Sequence, residues 1–140
     1  MHSSQNDIIV YNYLGMNTLH YIFTCLDGFY DLNLRFDNMT VKVDVNTNID
    51  GLYNREDILD SQLFIEELNK AKLNTWQKSY DAYSLPIEDA TAWSLICNID
   101  GCVYISKGVE SYEPMYYDQL IKAFMVLDPK AEYLLFKTED

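Results

Sequence analysis

Alternation of apolar and polar residues dominates the first third of the chain. In residues 29–36, and again in residues 39–45, every second side chain is apolar and the side chains between them are polar. A period of two with one apolar face is typical of half-buried β-strands. Asp37-Asn38 between the two runs predicts a tight turn, because both residue types tolerate a positive φ. The expected apolar face consists of Tyr30, Leu32, Leu34, Phe36, Met39, Val41, Val43 and Val45.

Two further runs predict strands upstream. Residues 19–26 end at Asp27-Gly28, which is a common hairpin signal. Residues 8–14 form a run of β-branched and aromatic side chains. We therefore expect four strands in the first 46 residues, followed by a loop at Gly51.

The period changes to that of a helix in two places. Residues 60–72 carry apolar side chains on one helical face, and Asp60 or Ser61 can cap the first turn. The second helix is expected to begin at Pro114, where a missing N–H is harmless, and to end before Pro129. The expected buried residues are Leu63, Phe64, Leu68 and Ala71 in the first helix, and Tyr117, Leu120, Ile121, Phe124 and Met125 in the second.

Between the helices, residues 91–97 and 102–107 predict two strands joined by a turn. Residues 131–137 suit a final strand or a short helix, and the strand is favoured. Hairpins dominate this order, and helices do not alternate with strands. The order predicts an α+β fold: an antiparallel meander sheet with two main helices packed on one face. We expect one domain over residues 1–140, with residues 1–7 disordered.

Charge narrows the functions that the chain can perform. Twenty-two acidic residues face ten basic ones, giving a formal net charge of −12. Such a chain repels nucleic acid, whose binding depends on Lys and Arg, and it repels anionic membranes. Between residues 81 and 118 seven acids face one base, Lys107. This segment is either a solvated face or a negative surface directed at a basic protein.

Residues that carry chemistry are sparse. His2 and His20 are the only histidines, and phosphate-binding glycine loops and a G-x-S-x-G nucleophile motif are absent. His20 is expected to be a structural or edge-strand residue. Residues 44–51 alternate oxygen ligands but lack the closing glutamate of a calcium loop. We therefore expect no enzyme activity, no cofactor and no metal. Three cysteines without a visible signal peptide indicate reduced thiols and a cytoplasmic location.

The region around the two tryptophans resembles a group of small uncharacterised bacterial proteins. Their core has the form W-x-x-x-Y, then D-G-T-x-W-x-L, then a glycine and a Y-P step before a closing helix. The resemblance covers residues 26–126 and implies the same element order; it implies no activity. The matching residues are Trp76, Tyr80, Asp89, Thr91, Trp93, Leu95, Gly108, Tyr112 and Pro114.

Trp76 and Tyr80 are spaced by one helical turn, so they are expected to share a face. Trp93 would lie on a strand and face the helices. We expect packing at a corner of the core, because a large ring with one N–H suits a sheet–helix junction. A protein-binding hot spot is the main alternative. A platform for stacking bases is disfavoured, because no cluster of Lys or Arg accompanies the rings.

These features predict a small acidic protein that inhibits or neutralises a basic partner, such as a nuclease or another nucleic-acid-binding protein. By analogy of composition, phage anti-defence proteins of the anti-CRISPR type work by such nucleic-acid mimicry. The alternatives are a toxin-immunity protein, or an enzyme with an unrecognised carboxylate site. Direct contact with nucleic acid or a membrane is not expected. The predicted partner-binding residues are Asp81, Glu88, Asp89, Asp100, Glu110, Tyr112, Glu113, Tyr116, Tyr117 and Asp118.

Overall fold

A computed structural model of the chain describes residues 16–80, 91–109 and 114–135. Its strands are β1 (Asn17–Cys25), β2 (Gly28–Phe36), β3 (Thr40–Thr47), β4 (Tyr53–Asp60), β5 (Ser79–Tyr80), β6 (Ala92–Ile99) and β7 (Cys102–Val109). Its helices are α1 (Gln62–Asn69), α2 (Tyr117–Leu127) and two 3-10 helices, Leu73–Thr75 and Pro129–Leu134. The expected strand at residues 8–14 and the expected disorder of residues 1–7 lie outside the described residues.

The strands form one sheet in the order β4-β3-β2-β1-β6-β7-β5. The short strand β5 pairs in parallel with β7, and the other neighbouring pairs are antiparallel. Both α-helices place their apolar sides on the same face of the sheet. The fold is therefore α+β, with a mostly antiparallel sheet and two main helices, as the residue pattern predicted.

The period-two pattern determines which side chains enter the core. The alternate residues of β2 and β3 that were expected on the apolar face are buried, apart from Met39, which is 74% exposed. Met39 differs because it lies in the turn before β3, where the alternation of the strand has not yet begun. The central strands β1 and β6 contribute the buried residues Leu19, Tyr21, Phe23, Trp93, Leu95 and Cys97.

The turn at Asp37-Asn38 is confirmed, but its physical cause differs from the expected one. Neither residue has a positive φ. Instead the Asp37 carboxylate accepts the N–H groups of Thr40 and Met39 at 2.9 and 2.8 Å. These bonds lower the pKa of Asp37, the Thr40 bond contributing most. A positive φ occurs in the β6–β7 turn, at Asp100.

Strand β4 was not predicted, because residues 53–60 lack an apolar face. Tyr53 and Leu59 are half-buried, and most of the remaining side chains are exposed. Among the described strands β4 is the last of the sheet on its side, and within them only one of its backbone edges pairs. Charged side chains on such an edge discourage pairing with another chain.

Helix α1 is shorter than the expected helix over residues 60–72. Asp60 ends β4, and its carboxylate accepts the N–H of Gln62 at 2.8 Å, which supports the expected capping role. Phe64 and Leu68 are buried as expected. Leu63 is 55% exposed and does not join them, so the buried stripe is narrower than the pattern indicated.

Helix α2 begins three residues after Pro114, whose carbonyl accepts the N–H of Tyr117 at 3.0 Å. The expected stripe is buried along it, except that Met125 is half-buried. Pro129 then opens a 3-10 helix in place of the favoured final strand, because the Asp128 carboxylate caps the N–H of Lys130. None of the helices in the described ranges is long and apolar enough to cross a membrane.

Two leucines of α1, the buried Leu68 and the exposed Leu63, test which side of the helix faces the core. Leu68→Ala should lower the free energy of unfolding by about 2–5 kcal/mol, because it leaves a cavity in the core. Leu63→Ala should change it by less than about 0.5 kcal/mol, because that side chain is mostly exposed. Urea denaturation measures both values. Equal losses for the two variants would show that the helix is turned differently on the sheet.

Candidate functional site

Six of the ten predicted partner-binding residues lie outside the described part of the chain. They are Asp81, Glu88, Asp89, Glu110, Tyr112 and Glu113. Of the other four, Asp100 and Asp118 are exposed, Tyr116 is half-buried, and Tyr117 is 1% exposed. Tyr117 therefore belongs to the core and cannot form part of a contact surface.

The structure does not bring Asp100 and Asp118 together. Asp100 lies in the β6–β7 turn, seven residues beyond Trp93. At about 3.3 Å per residue, this places it about 23 Å from Trp93. Asp118 follows Tyr117, whose ring packs on Trp93 with centroids 5.3 Å apart. The two carboxylates thus lie near opposite ends of β6, and they do not form one acidic patch.

The two tryptophans form a corner of the core, as predicted. Trp93 is buried, and around it pack the rings of Trp76 at 5.8 Å, Tyr80 at 6.2 Å and Tyr117. The Trp76 ring donates its Nε1–H to the Ala71 carbonyl at 2.8 Å. The expected helical spacing was wrong, since Trp76 follows a 3-10 helix in an extended conformation and Tyr80 lies in β5.

A buried carboxylate, Asp128, holds the end of α2 against the sheet. It accepts the Tyr30 hydroxyl at 2.6 Å and lies 3.7 Å from the Arg55 guanidinium. Burial first, and then this hydrogen bond, raise the pKa of Tyr30 well above its ordinary value. Arg55 also donates to the carbonyl of Leu127 at 2.6 Å. With these partners, Asp128 acts as a structural anchor between α2 and the sheet.

His20 lies on the open face of the sheet, the face that neither of the described α-helices covers. Its Nε2 is 2.8 Å from a carboxylate oxygen of Asp31. Of the two roles expected for His20, the ion pair fits a structural one, and the edge-strand one is wrong because β1 lies between β2 and β6. His20 borders an open depression of about 290 Å³ that also involves Arg35, Lys42 and Asp44. Among the described residues that line it there is no serine or cysteine, and its one hydroxyl side chain is that of Thr18.

The cysteines are free thiols with very different surroundings. Cys97 is buried, and burial raises its pKa to about 12. Cys102 is exposed and Cys25 is half-buried. Throughout the described ranges, no group of three or more His, Cys, Asp or Glu side chains could hold a metal ion.

Acidic and exposed apolar side chains meet where β4 turns into α1. We call this surface the β4–α1 corner and define it by Asp37, Met39, Asp57, Asp60, Leu63 and Glu66. Ser61 joins its three chain segments: its N–H bonds to the Met39 carbonyl at 3.1 Å, and its hydroxyl to the Asp37 carbonyl at 2.8 Å. The corner was missed in the sequence because it depends on β4. The available signal was the three acids within residues 56–60, namely Glu56, Asp57 and Asp60.

One basic side chain partly neutralises the corner. Arg55 lies 3.0 Å from Asp57, and this bond, followed by one from the Ile58 N–H, lowers the pKa of Asp57. Asp37, Asp60 and Glu66 make no ion pair within the described residues. The corner therefore combines three uncompensated carboxylates with two exposed apolar side chains. Such a combination is typical of a protein-contact surface with a charged rim.

The tryptophan corner can be tested by fluorescence. In Trp76→Phe the remaining Trp93 should emit at short wavelength and resist acrylamide quenching, because its ring is buried. In Trp93→Phe the remaining Trp76 should emit further to the red and be quenched more readily. If Trp93 were quenched in the folded protein as strongly as in urea, the cluster would be a surface and not a corner of the core.

The cysteines should differ in reactivity. At about pH 8 the exposed Cys102 should react rapidly with iodoacetamide, and the buried Cys97 should not. Because the neutral thiol of Cys97 is favoured by folding, its contribution to stability should be complete below about pH 8.5 and fall as the pH rises towards about 12. Peptide mass spectrometry, with Cys102→Ser as the control, locates the modification. Rapid labelling of Cys97 in the native protein would contradict its burial.

The resemblance to the bacterial group with the W-x-x-x-Y core remains an expectation. No family model, curated protein or solved structure matches the chain.

Proposed function

We propose that this protein binds a basic protein, one that itself holds nucleic acid, and blocks it by presenting carboxylates where phosphates would bind. The observation that carries the proposal is the number of carboxylates that the protein leaves uncompensated. The acids that are not buried and have no ion-pair partner within the described residues are Asp27, Asp37, Asp44, Asp50, Glu56, Asp60, Glu66, Asp100, Asp118 and Glu132.

Carboxylates without an ion-pair partner can attract a basic protein and also orient it as it approaches. A negative surface raises the rate of encounter with a positive one and suppresses wrong partners. A groove lined with Lys and Arg to hold phosphates offers the same donors to carboxylates. The acidic protein would thus compete with nucleic acid without resembling it in fold.

The β4–α1 corner is the surface that supports this role best. Charge alone gives little net affinity at physiological salt, because exposed ion pairs are screened. Met39 and Leu63 offer apolar area that a partner can remove from water, with Asp37, Asp60 and Glu66 around it. This arrangement fits an interface in which apolar contacts supply affinity and the charges supply specificity.

The alternative of an enzyme with a carboxylate site has less support. A catalytic carboxyl acid usually has a raised pKa in a concave site. Among the described acids with a shifted pKa, the direction is downward at Asp37, Asp57 and Glu67. At Glu67 the main cause is the hydrogen bond from Lys70, followed by the bond from Gln119 of α2. These carboxylates are held ionised, which suits binding of cations better than proton transfer.

An immunity protein and a phage inhibitor of a nuclease-type defence system would use the same mechanism, so the partner's identity separates them. A pull-down from the native host at low salt, with mass spectrometry, names the partner. Purified partner then allows calorimetry at low and high ionic strength. We expect affinity to fall at least tenfold as salt rises, and nucleic acid bound by the partner to compete.

Three double variants with equal charge changes locate the surface. Asp60→Asn with Glu66→Lys alters the corner and keeps an acceptor for the Gln62 N–H. Asp100→Asn with Asp118→Lys alters the residues predicted from the sequence, and Asp27→Asn with Glu132→Lys is the matched control. The corner variant should lose at least tenfold in affinity and the control less than threefold. Equal losses of affinity in all three variants would mean that binding depends only on the net charge of the protein. Binding that does not change with salt concentration would contradict the mimicry mechanism.

A further inference from the structure

The open face of the sheet carries a stripe of exposed apolar side chains. Register places His20, Ile96 and Ile105 in one row across β1, β6 and β7. Ile96 and Ile105 face each other directly, and both are about half exposed. Val103 is also exposed in the next row, and Ile22 is half-buried on the opposite side of the stripe. Within the described residues both α-helices lie on the other face, so these side chains have no covering layer.

Beside this stripe lie two pairs of charged side chains, and within each pair two like charges face each other. Arg35 lies directly opposite Lys42 on β2 and β3. One row along, Asp44 lies directly opposite Glu56 on β3 and β4. Like charges in opposed positions destabilise a sheet. The described residues show no ion pair that joins the basic pair to the acidic pair.

The two pairs are complementary to a second copy of the same face. Consider a two-fold axis that crosses the strands between the two rows. It places Lys42 of one copy over Asp44 of the other, with Arg35 one strand to one side of this contact and Glu56 one strand to the other, and the reverse contact follows by symmetry. Each pair of like charges in one copy then lies near opposite charges of the second copy. We propose that this protein forms a homodimer by packing the open faces of two sheets together.

Net charge also favours this face over the rest of the surface. The whole chain carries −12, so two copies repel each other at most orientations. The three central rows of the open face are balanced. Their bases are Arg35, Lys42 and Lys107, and their acids are Asp31, Asp44 and Glu56. Repulsion between copies is therefore weakest across this face.

The face is large enough for a stable dimer. Six strands spaced about 4.8 Å apart and about 26 Å long present roughly 650 Å² per copy. Two copies would bury roughly 1,300 Å², which lies in the range of about 1,200–2,000 Å² for specific interfaces. Sheets that pack face to face do so about 10 Å apart with their strands nearly aligned. The β4–α1 corner lies at the edge of the sheet beside α1, so a dimer would present two such corners.

Sedimentation velocity over a hundredfold range of concentration tests the dimer. The wild-type weight-average mass should rise from 16.4 kDa towards twice that value. Ile105→Asp should keep the protein monomeric, because it places a charge in the apolar stripe. Leu52→Asp is the matched control, since Leu52 is exposed in the loop before β4, and it should dimerise as the wild type does. A monomeric wild type, or dimerisation unaffected by Ile105→Asp, would overturn the proposal and leave the face to a different partner.

A charge exchange tests the orientation of the two copies. Arg35→Glu with Lys42→Glu should abolish the homodimer, and so should Asp44→Lys with Glu56→Lys. An equal mixture of these two double variants should form a heterodimer, because each supplies the charge that the other lacks. Circular dichroism confirms that each variant is folded, and if one is not, the Ile105→Asp variant decides whether the dimer forms through this face. Folded variants that fail to associate on mixing would refute the two-fold arrangement. Neither experiment changes a residue that defines the β4–α1 corner. A negative result would therefore not contradict the proposed binding of a basic protein at that corner.

Discussion

The pairing of β1 with β6 is the interaction on which the described structure depends. This backbone ladder joins the first four strands to the hairpin of β6 and β7, and it pairs residues that are 68 to 80 positions apart, from Thr24 with Ala92 to Thr18 with Asn98. The same register brings Phe23 beside Trp93 and Tyr21 beside Leu95, which extends the apolar face across both halves. α2 then packs over the junction, where Tyr21 meets Phe124 and shares a hydrogen bond with Tyr117. Without this pairing neither half would bury a sufficient area.

Polar groups on the two faces of the sheet have different surroundings, because the described helices cover only one face. On the covered face, several buried polar groups bond to partners from distant segments, although the Trp93 Nε1–H has no hydrogen-bond partner within the described residues. The Asp128 carboxylate, for example, joins the end of α2 to Tyr30 of β2 and Arg55 of β4. On the open face the charges are set by strand register alone, and like charges stand opposite each other. The surplus of carboxylates elsewhere remains exposed to solvent and to partners. The proposed dimer contact and the proposed partner contact therefore have different centres, and Asp60 of the β4–α1 corner lies where the two surfaces adjoin.

The sequence pattern was a reliable guide where one face of an element is buried. The alternation in β2 and β3 and the stripe of α2 predicted buried residues because burial and secondary-structure period coincide there. Prediction failed where tertiary position decides. β4 lacks an apolar face because it is an edge strand, Leu63 turns away from the sheet, and the end of the described chain forms a 3-10 helix on Asp128 instead of a strand. The sequence placed Tyr117 both in the buried stripe of α2 and among the contact residues, because residue type alone does not distinguish an exposed tyrosine from a buried one; its side chain is buried.

The amino-acid sequence by itself determined the composition of the core, the hairpin order and the large negative charge, since these follow from residue type and local spacing. Tertiary structure alone decided where that charge is concentrated. Asp100 and Asp118 lie 18 residues apart in the sequence and near opposite ends of β6, whereas Asp37 and Asp60 lie 23 residues apart in chain segments that adjoin at one corner. The reason is physical: strand register and helix packing bring together residues that no local pattern relates, and electrostatic attraction depends on distance in space.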